Sequence, residues 1–152
     1  MMTYLDKEKY HLLLIGPIHD DGNYERLAKE LGVNNVSFLG WRNDIPQLLK
    51  ITDIYVASSI REGLGLNLIE AQYSQVPVIA SINRGHNEVI EDGVNGYLVH
   101  HKDAKLYATR VEELASNKEL RNKFVSNANI TSDKFSKEES MQVIEKLYDS
   151  LM

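Results

Sequence analysis

The chain has 152 residues, 43% of them hydrophobic, and a formal net charge of −5 at pH 7. This length suits one domain, 1–152, with a core of its own. A net negative charge argues against nucleic-acid binding, which needs a basic surface. Cysteine is absent, which excludes disulfides and thiolate metal sites and favours a cytoplasmic location. No apolar run reaches transmembrane length.

Short apolar runs alternate with amphipathic segments along the chain. Strands are predicted over 11–15, 35–39, 53–57, 76–80 and 96–99. Helices are predicted over 23–31, 45–51, 66–74, 85–91, 104–116 and 118–128, and a C-terminal helical segment over 134–152. Ser136 and Glu139 have the spacing of a capping box for this last helix. The alternation predicts an α/β fold with a parallel sheet of about five strands and helices on both faces.

The most informative segment is 61–71, REGLGLNLIEA, between the third and fourth predicted strands. Gly63 and Gly65 form a bend before a helix, whose first amides and dipole favour an anion such as phosphate. Glu70, one turn further, can accept hydrogen bonds from two neighbouring hydroxyls, as on a ribose. A plain turn with surface glutamates is the alternative. The position at the carboxyl end of a strand, where open α/β sheets bind ligands, favours a nucleotide site.

Other α/β chemistries do not match the sequence. Residues 16–22 do not provide the Gly-x-Gly-x-x-Gly of a dinucleotide-binding turn, and no P-loop ending is present. Asp20 and Asp21 follow the first strand, as in a receiver domain, but no aspartate ends the third strand, so a solvated turn is favoured. The histidines lack metal-ligand spacing and no serine occupies a nucleophile elbow. No metal site is predicted.

Six ordered blocks resemble the C-terminal, donor-binding half of retaining GT-B glycosyltransferases. They are LLLIG (12–16), VSFLG (36–40), TDIYVASS (52–59), REGLGLNLIEA (61–71), PVIAS (77–81) and EVIEDGVNGYLV (88–99). The resemblance runs from about His11 to Tyr148 and is closest in type to capsular and exopolysaccharide transferases. It implies a Rossmann-like half of a GT-B fold.

The resemblance implies a role for each matching position. Glu62 is implied as the catalytic glutamate beside the donor sugar, and Glu70 as the residue that holds the ribose hydroxyls. The other implied donor-binding residues are Gly40 and Trp41 near the nucleobase, Gly63, Gly65, Leu66 and Asn67 at the helix start that faces the diphosphate, and Gly85 and His86 in a loop that lines the cleft between domains. Simple packing is the alternative for Trp41, and a plain surface position is the alternative for His86.

The sequence also departs from the family pattern. The first strand of this half, the arginine and lysine that follow it, and the acceptor-binding domain have no match here. Arg61 and Arg84 are candidate cations, although neither occupies the family position. Gln75 replaces the glycine that usually precedes the fourth strand, so local backbone strain is expected there. We expect this chain alone not to catalyse transfer.

The sequence therefore predicts the nucleotide-sugar-binding domain of a hexosyltransferase in bacterial-type polysaccharide biosynthesis. The donor is a UDP- or GDP-type sugar, with no further cofactor. The acceptor is a glycan or a lipid-linked glycan, bound through the unmatched N-terminal domain, which could also bring the protein to the inner face of the membrane. The alternative is a non-catalytic module that pairs through its incomplete sheet with a second copy or a partner subunit. A sugar-nucleotide epimerase is disfavoured by the glutamate spacing.

Overall fold

The computed structural model describes residues 1–16 and 23–132, together with 141, 142, 146 and 148. The predicted turn with Asp20 and Asp21 lies outside the described residues. So does most of the predicted helix at 134–152, of which only the four isolated positions are described, all helical.

Strands and helices alternate in the predicted order. The strands are β1 Leu12–Ile15, β2 Val36–Gly40, β3 Tyr55–Ala57, β4 Val78–Ser81 and β5 Tyr97–Val99. The helices are α1 Asn23–Glu30, α2 Ile45–Lys50, α3 Leu66–Tyr73, α4 Arg84–Val89, α5 Ala104–Ser116 and α6 Lys118–Ser132, after a 3-10 turn at Met2–Tyr4. The α/β class is confirmed. Among the described helices, none is long and apolar enough to cross a membrane.

The end of α6 differs from the prediction, which stopped this helix at Ala128. The helix continues to Ser132. Asn127, a residue of modest helix propensity, donates through Nδ2 to the carbonyl of Val94 at 2.8 Å. This tertiary hydrogen bond holds the segment in place, and the sequence pattern does not reveal it.

The five strands form two hydrogen-bonded groups, and the pairing within each group is parallel. β1 pairs with β2, and β3, β4 and β5 pair in that order, with β4 in the centre. The predicted five strands and their parallel pairing are therefore confirmed, but they lie in sheets of two and three strands and not in the one sheet that the sequence predicted. No described strand lies between β1 and β3, so each of these is the edge strand of its group.

The core lies on both faces of the three-stranded group. All four residues of β4 are buried. Since side chains alternate along a strand, Val78 and Ala80 pack in a cluster with Leu68 of α3, whereas Ile79 packs with Leu114 of α5 in a second cluster. Helices therefore cover the group on both faces, as predicted.

The helix α3 ends in a left-handed turn that a glutamine occupies. Gln75 has φ 61°, and no other non-glycine residue in the described part of the chain has a positive φ. Its amide donates to the carbonyl of Gln72 at 2.9 Å, and the next amide, of Val76, donates to Ala71 at 3.0 Å. This is a Schellman motif, whose left-handed position usually holds glycine. The local strain predicted from the sequence is present.

Replacing Gln75 with glycine should stabilise the fold. An L-residue in left-handed geometry costs about 1–2 kcal/mol, and the added flexibility of an unfolded glycine offsets about 0.5–1 kcal/mol of that gain. We expect Gln75→Gly to raise the free energy of unfolding by roughly 0.5–1 kcal/mol, measured by urea denaturation followed by circular dichroism. Ser74→Gly, at φ −81°, is the control and should lower it. A less stable Gln75→Gly variant would contradict the account.

The short helix α4 packs directly onto the loop that precedes α3. A Cβ built on Gly85 would lie 2.7 Å from the carbonyl oxygen of Glu62 and 2.9 Å from its carbonyl carbon. Backbone atoms cannot move aside as a flexible side-chain end can. Only glycine allows this approach, which brings two of the predicted site residues together.

Gly85→Ala should therefore destabilise the protein by about 1–3 kcal/mol, the usual cost of overpacking. Gly63→Ala is the matched control, because a Cβ at Gly63 would meet no atom within 4 Å and its φ is not positive. Thermal unfolding of the two variants should separate them clearly. Equal melting temperatures would refute the close-packing argument.

Candidate functional site

The helix α3 begins with amides that no side chain caps. Its N-cap is Gly65, which has no side chain to accept a hydrogen bond. The amide of Leu66 donates to Leu64 and that of Leu68 to Gly65, whereas the amide of Asn67 has no acceptor among the described residues. The predicted helix start is thus confirmed. Free N–H groups at a helix N-terminus favour a bound anion.

Tyr55 contacts this helix start and senses the charge of both glutamates. Its hydroxyl accepts a hydrogen bond from Nδ2 of Asn67 at 3.2 Å. Burial raises the pKa of Tyr55 above its usual value; the Asn67 hydrogen bond opposes the shift, and the charges of Glu70 and Glu62 add to it. Both carboxylates therefore act on the same hydroxyl. Glu70 is exposed and Glu62 half-buried, so both can be reached from solvent.

A hydrogen-bonded cluster at the end of β4 positions α4. The Oδ1 of Asn83 caps the helix by accepting from the amide of His86 at 3.0 Å. The Nδ2 of Asn83 donates to the carbonyl of Ser59 at 2.9 Å, and the hydroxyl of Ser81 donates to the same carbonyl. The loop after β3 is thereby tied to the loop after β4.

His86 is fully buried, so the alternative of a surface histidine is wrong. Its Nδ1 lies 2.8 Å from the carbonyl oxygen of Ser81, which can only accept, so Nδ1 carries the proton. The Nδ2 of Asn83 also lies 2.9 Å from Nδ1 of His86, but it donates its hydrogen bond to the carbonyl of Ser59. Nε2 is then a buried acceptor without a partner among the described residues. A Cβ on Gly65 would lie 3.3 Å from the adjacent Cδ2, which places the ring against the start of α3.

Gly40 and Trp41 lie at the carboxyl end of β2, in the other strand group. Gly40 has φ +63° and open space where a Cβ would stand. Trp41 is 79% exposed, which excludes packing as the reason for this tryptophan. No hydrogen bond or ring contact in the described part of the chain joins it to Glu62, Glu70 or His86. The structure therefore brings most of the predicted site together around α3, but not this pair.

The candidate cations are not held at the helix start. Arg61 is exposed, and Arg84 points to the surface, where it pairs with Glu88 at 3.5 Å. Gly63, in the bend before α3, is exposed as well, so no side chain covers the bend there. Within the described ranges, no group of three or more histidine, aspartate or glutamate side chains could hold a metal ion. Backbone amides and the dipole of α3 are thus the positive groups at the site.

Sequence reasoning missed four residues that build the site: Tyr55, Ser59, Ser81 and Asn83. Asn83 stands three residues before His86, the N-cap spacing that could have identified it. No sequence pattern pointed to Tyr55, because its contact with Asn67 joins residues on two different elements, a strand and a helix. The Ser59 carbonyl is a backbone group, which no residue pattern specifies.

Comparison with known proteins agrees with this geometry. Residues 2–131 match the family Glycosyl transferases group 1. The putative glycosyltransferase EpsD of Bacillus subtilis is 39% identical over 130 residues, which cover 85% of this chain and 34% of EpsD. The lipopolysaccharide core biosynthesis glycosyltransferase LpsE of Rhizobium meliloti is 32% identical, covering 80% of this chain and 36% of LpsE. The chain spans about a third of the length of these relatives.

Among solved structures, Anabaena Alr3699/HepE in complex with UDP superposes with a TM-score of 0.83 at 29% identity, covering 92% of this chain and 41% of HepE. The same protein in complex with UDP-glucose gives a TM-score of 0.80. The match of residues 2–131 to one family, together with the α/β architecture, leads to one conclusion: the chain belongs to the glycosyl transferases group 1 family, and its fold is that of the C-terminal, Rossmann-like domain of GT-B glycosyltransferases.

Proposed function

We propose that this chain binds a UDP-sugar donor for a retaining glycosyltransferase of polysaccharide assembly. The observation that carries the proposal is the uncapped start of α3, where the Asn67 amide has no acceptor among the described residues and the solvent-accessible Glu62 and Glu70 flank it in the sequence. Backbone amides can donate hydrogen bonds to a phosphate, and the two carboxylates can accept them from sugar hydroxyls, so the arrangement fits a sugar linked to a phosphate. UDP is favoured over GDP because HepE, a neighbour in structure, is found with UDP and with UDP-glucose.

The diphosphate binds at the start of α3. Gly63 is exposed and has open space where a Cβ would stand, and the amides at the helix start donate to phosphate oxygens. The chain as a whole is acidic and no lysine or arginine of the described part is held at this point, so the isolated chain binds weakly. A dissociation constant in the millimolar range, ~4 kcal/mol of binding free energy, is expected.

The two glutamates bind the two sugars of the donor. Glu70, exposed one turn into α3, accepts hydrogen bonds from the ribose diol, since an ionised carboxylate is an acceptor only. Glu62 lies by the donor sugar, and Gly85 holds its backbone in place by direct packing. Gly40 and Trp41 receive the uracil, because an exposed indole next to a glycine offers a flat apolar face.

The reaction that follows is a transfer with retention at the anomeric carbon. The bond from the sugar carbon to the diphosphate oxygen breaks, and UDP leaves with the electron pair. The acceptor hydroxyl oxygen then bonds to that carbon on the same face, and the hydroxyl proton passes to the departing diphosphate oxygen. Amides aimed at the departing phosphate stabilise its growing charge. The acceptor, a glycan or lipid-linked glycan, is proposed to bind residues other than those of this chain, which therefore binds the donor without transferring the sugar on its own.

Glu70→Ala should weaken UDP binding about tenfold or more, because hydrogen bonds to a charged group contribute about 1.5–3 kcal/mol. Calorimetric titration with UDP measures the change. Glu112→Ala is the control, since Glu112 is an exposed glutamate on α5, and its affinity should equal that of the wild type.

The partner of Glu70 is tested with 2′-deoxy-UDP. The wild-type chain should bind it more weakly than UDP, whereas Glu70→Ala should bind both equally, because the carboxylate that distinguishes them is gone. Unchanged UDP affinity in Glu70→Ala would refute the assignment. An equal loss for both nucleotides would show that Glu70 acts elsewhere than on the diol.

Trp41 is the only tryptophan in the chain, so its fluorescence reports on the proposed base site directly. UDP should quench it saturably, and ribose 5-phosphate, which has no base, should not. Trp41→Ala should weaken UDP at least fivefold, since stacking of a base on an aromatic ring contributes about 1–3 kcal/mol; Trp41→Phe should largely keep the affinity. Tyr24→Ala, at another exposed aromatic residue, is the control. UDP binding without a fluorescence change would place the base elsewhere.

A further inference from the structure

One buried side chain beside the site is only half paired. His86 is 0% exposed, and its Nδ1 donates to the carbonyl oxygen of Ser81 at 2.8 Å. Its Nε2 is buried as well, and no residue that the structure describes lies within hydrogen-bonding reach of it. Buried polar atoms are nearly always paired, so an exception calls for a physical reason.

The orientation of the His86 ring is fixed by its surroundings. The amide of His86 donates to Oδ1 of Asn83 at 3.0 Å, which anchors the first turn of α4. Gly85 packs on the backbone of Glu62, where a Cβ would lie 2.7 Å from the carbonyl oxygen. Turning the ring over would replace Nδ1 with a carbon and break the hydrogen bond to Ser81. Nε2 therefore keeps one direction.

The ring borders the start of α3. A Cβ on Gly65 would lie 3.3 Å from Cδ2 of His86, and Cδ2 is the ring carbon bonded to Nε2. Gly65 is the N-cap of α3 and has no side chain to place between the ring and the helix start. The amide of Asn67, in the first turn, also has no acceptor in the described part of the chain. An unpaired ring nitrogen and an unpaired amide thus belong to one helix start, where an anion is favoured.

The other ionisable side chains around the ring hold no positive charge against it. They are acidic or phenolic, apart from two arginines. The set consists of Arg61 and Glu62 before α3, Glu70 on α3, Tyr55 on β3, Arg84 and Glu88 on α4, and Tyr107 on α5. Arg61 is exposed, and Arg84 pairs with Glu88 at 3.5 Å on the surface. Burial raises the pKa of Tyr55 and of Tyr107, so both stay neutral. Within this set, His86 is the buried side chain that can change from neutral to cationic.

We propose that His86 supplies a full positive charge at the site when a diphosphate binds. One proton from solvent is taken up on Nε2, which then donates to a phosphate oxygen, while Nδ1 keeps its hydrogen bond to Ser81. The free chain holds the ring neutral, because an unpaired buried charge is costly. Nε2 is covered in the free chain, so the contact requires a shift of the bend at 63–65, whose two glycines permit it. This inference rests on the proposed nucleotide site.

A charge that appears together with its anion suits this position. The amides of α3 orient a phosphate through partial charges. An imidazolium N–H adds a charge-assisted hydrogen bond, which is roughly twice as strong as a neutral one. The buried Nε2 lone pair of the free chain then has a function, because it is the atom that receives the proton.

The proposal fixes the sign of the pH dependence. The complex holds one proton that the free chain lacks, so a lower pH favours the complex. The affinity for UDP-glucose should rise as the pH falls from about 8 to about 6, by at most about tenfold per pH unit, the limit for one proton. UDP-glucose is the probe because its phosphates gain no proton in this range, whereas the terminal phosphate of UDP titrates at about pH 6, as phosphate monoesters do.

Calorimetry counts the proton directly. Titration with UDP-glucose at neutral pH, in two buffers of different ionisation enthalpy, should show proton uptake on binding, up to one proton per nucleotide. His86→Gln keeps a polar side chain but cannot titrate, so it should show no uptake and an affinity that does not change with pH. His100→Gln, at an exposed histidine after β5, is the control and should behave as the wild type.

Two-bond proton–nitrogen NMR spectra of the wild-type chain observe the ring itself and need no variant. Without ligand, His86 should show a protonated Nδ1 and an unprotonated Nε2. With saturating UDP-glucose, both nitrogens should be protonated. This measurement decides the question even if His86→Gln does not fold.

Three results would overturn the inference. If UDP-glucose does not bind at all, the proposed function fails and the inference fails with it. If UDP-glucose binds without proton uptake and Nε2 stays unprotonated, the nucleotide site stands but the role of His86 is wrong; a shifted yet unprotonated Nε2 would then mean that it accepts from a sugar hydroxyl. If His86→Gln keeps the proton uptake, another group, such as Glu62, takes the proton.

Discussion

The carbonyl oxygen of Ser59 is the point on which the site depends. It accepts hydrogen bonds from the hydroxyl of Ser81 and the side-chain amide of Asn83, and so it joins the loop after β3 to the loop after β4. The Oδ1 of the same Asn83 side chain caps α4 by accepting from the amide of His86. With β4 buried and paired on both edges, this connection gives Glu62, Gly85 and His86 fixed relative positions.

An acidic protein that binds an anion needs a local source of positive potential. The structure offers the first amides of α3 rather than lysine or arginine, since Arg84 is turned to the surface. Amides have a fixed direction and need no side-chain ordering, but their partial charge is smaller than a full cation. A site of this kind can orient a diphosphate while binding it weakly. A Cβ on Gly65 would lie 3.3 Å from Cδ2 of the buried His86, which shows how closely α4 is packed against this helix start.

The two strand groups differ in how complete they are. The group of β3, β4 and β5 has a covered core on both faces, whereas β1 keeps two of its apolar side chains partly exposed. The shared cluster that includes Leu12, Ile54 and Val56 holds the groups together through side chains, not through backbone pairing. Side-chain contacts are non-directional, so they leave the outer-edge backbone groups of β1 and β3 without a partner among the described residues. The same gap explains why the strands form two groups where the sequence predicted one sheet.

The sequence by itself determined the element order, the parallel α/β class and the helix start at Gly65, because apolar periodicity, glycine punctuation and capping are local effects. It also located the strain at Gln75, since the chirality of one residue decides that cost. Only the tertiary structure decided that His86 is buried, that Tyr55 contacts Asn67, and that β1 and β3 do not pair with each other. Each of these depends on contacts between segments that are distant along the chain, and local sequence patterns do not predict such contacts.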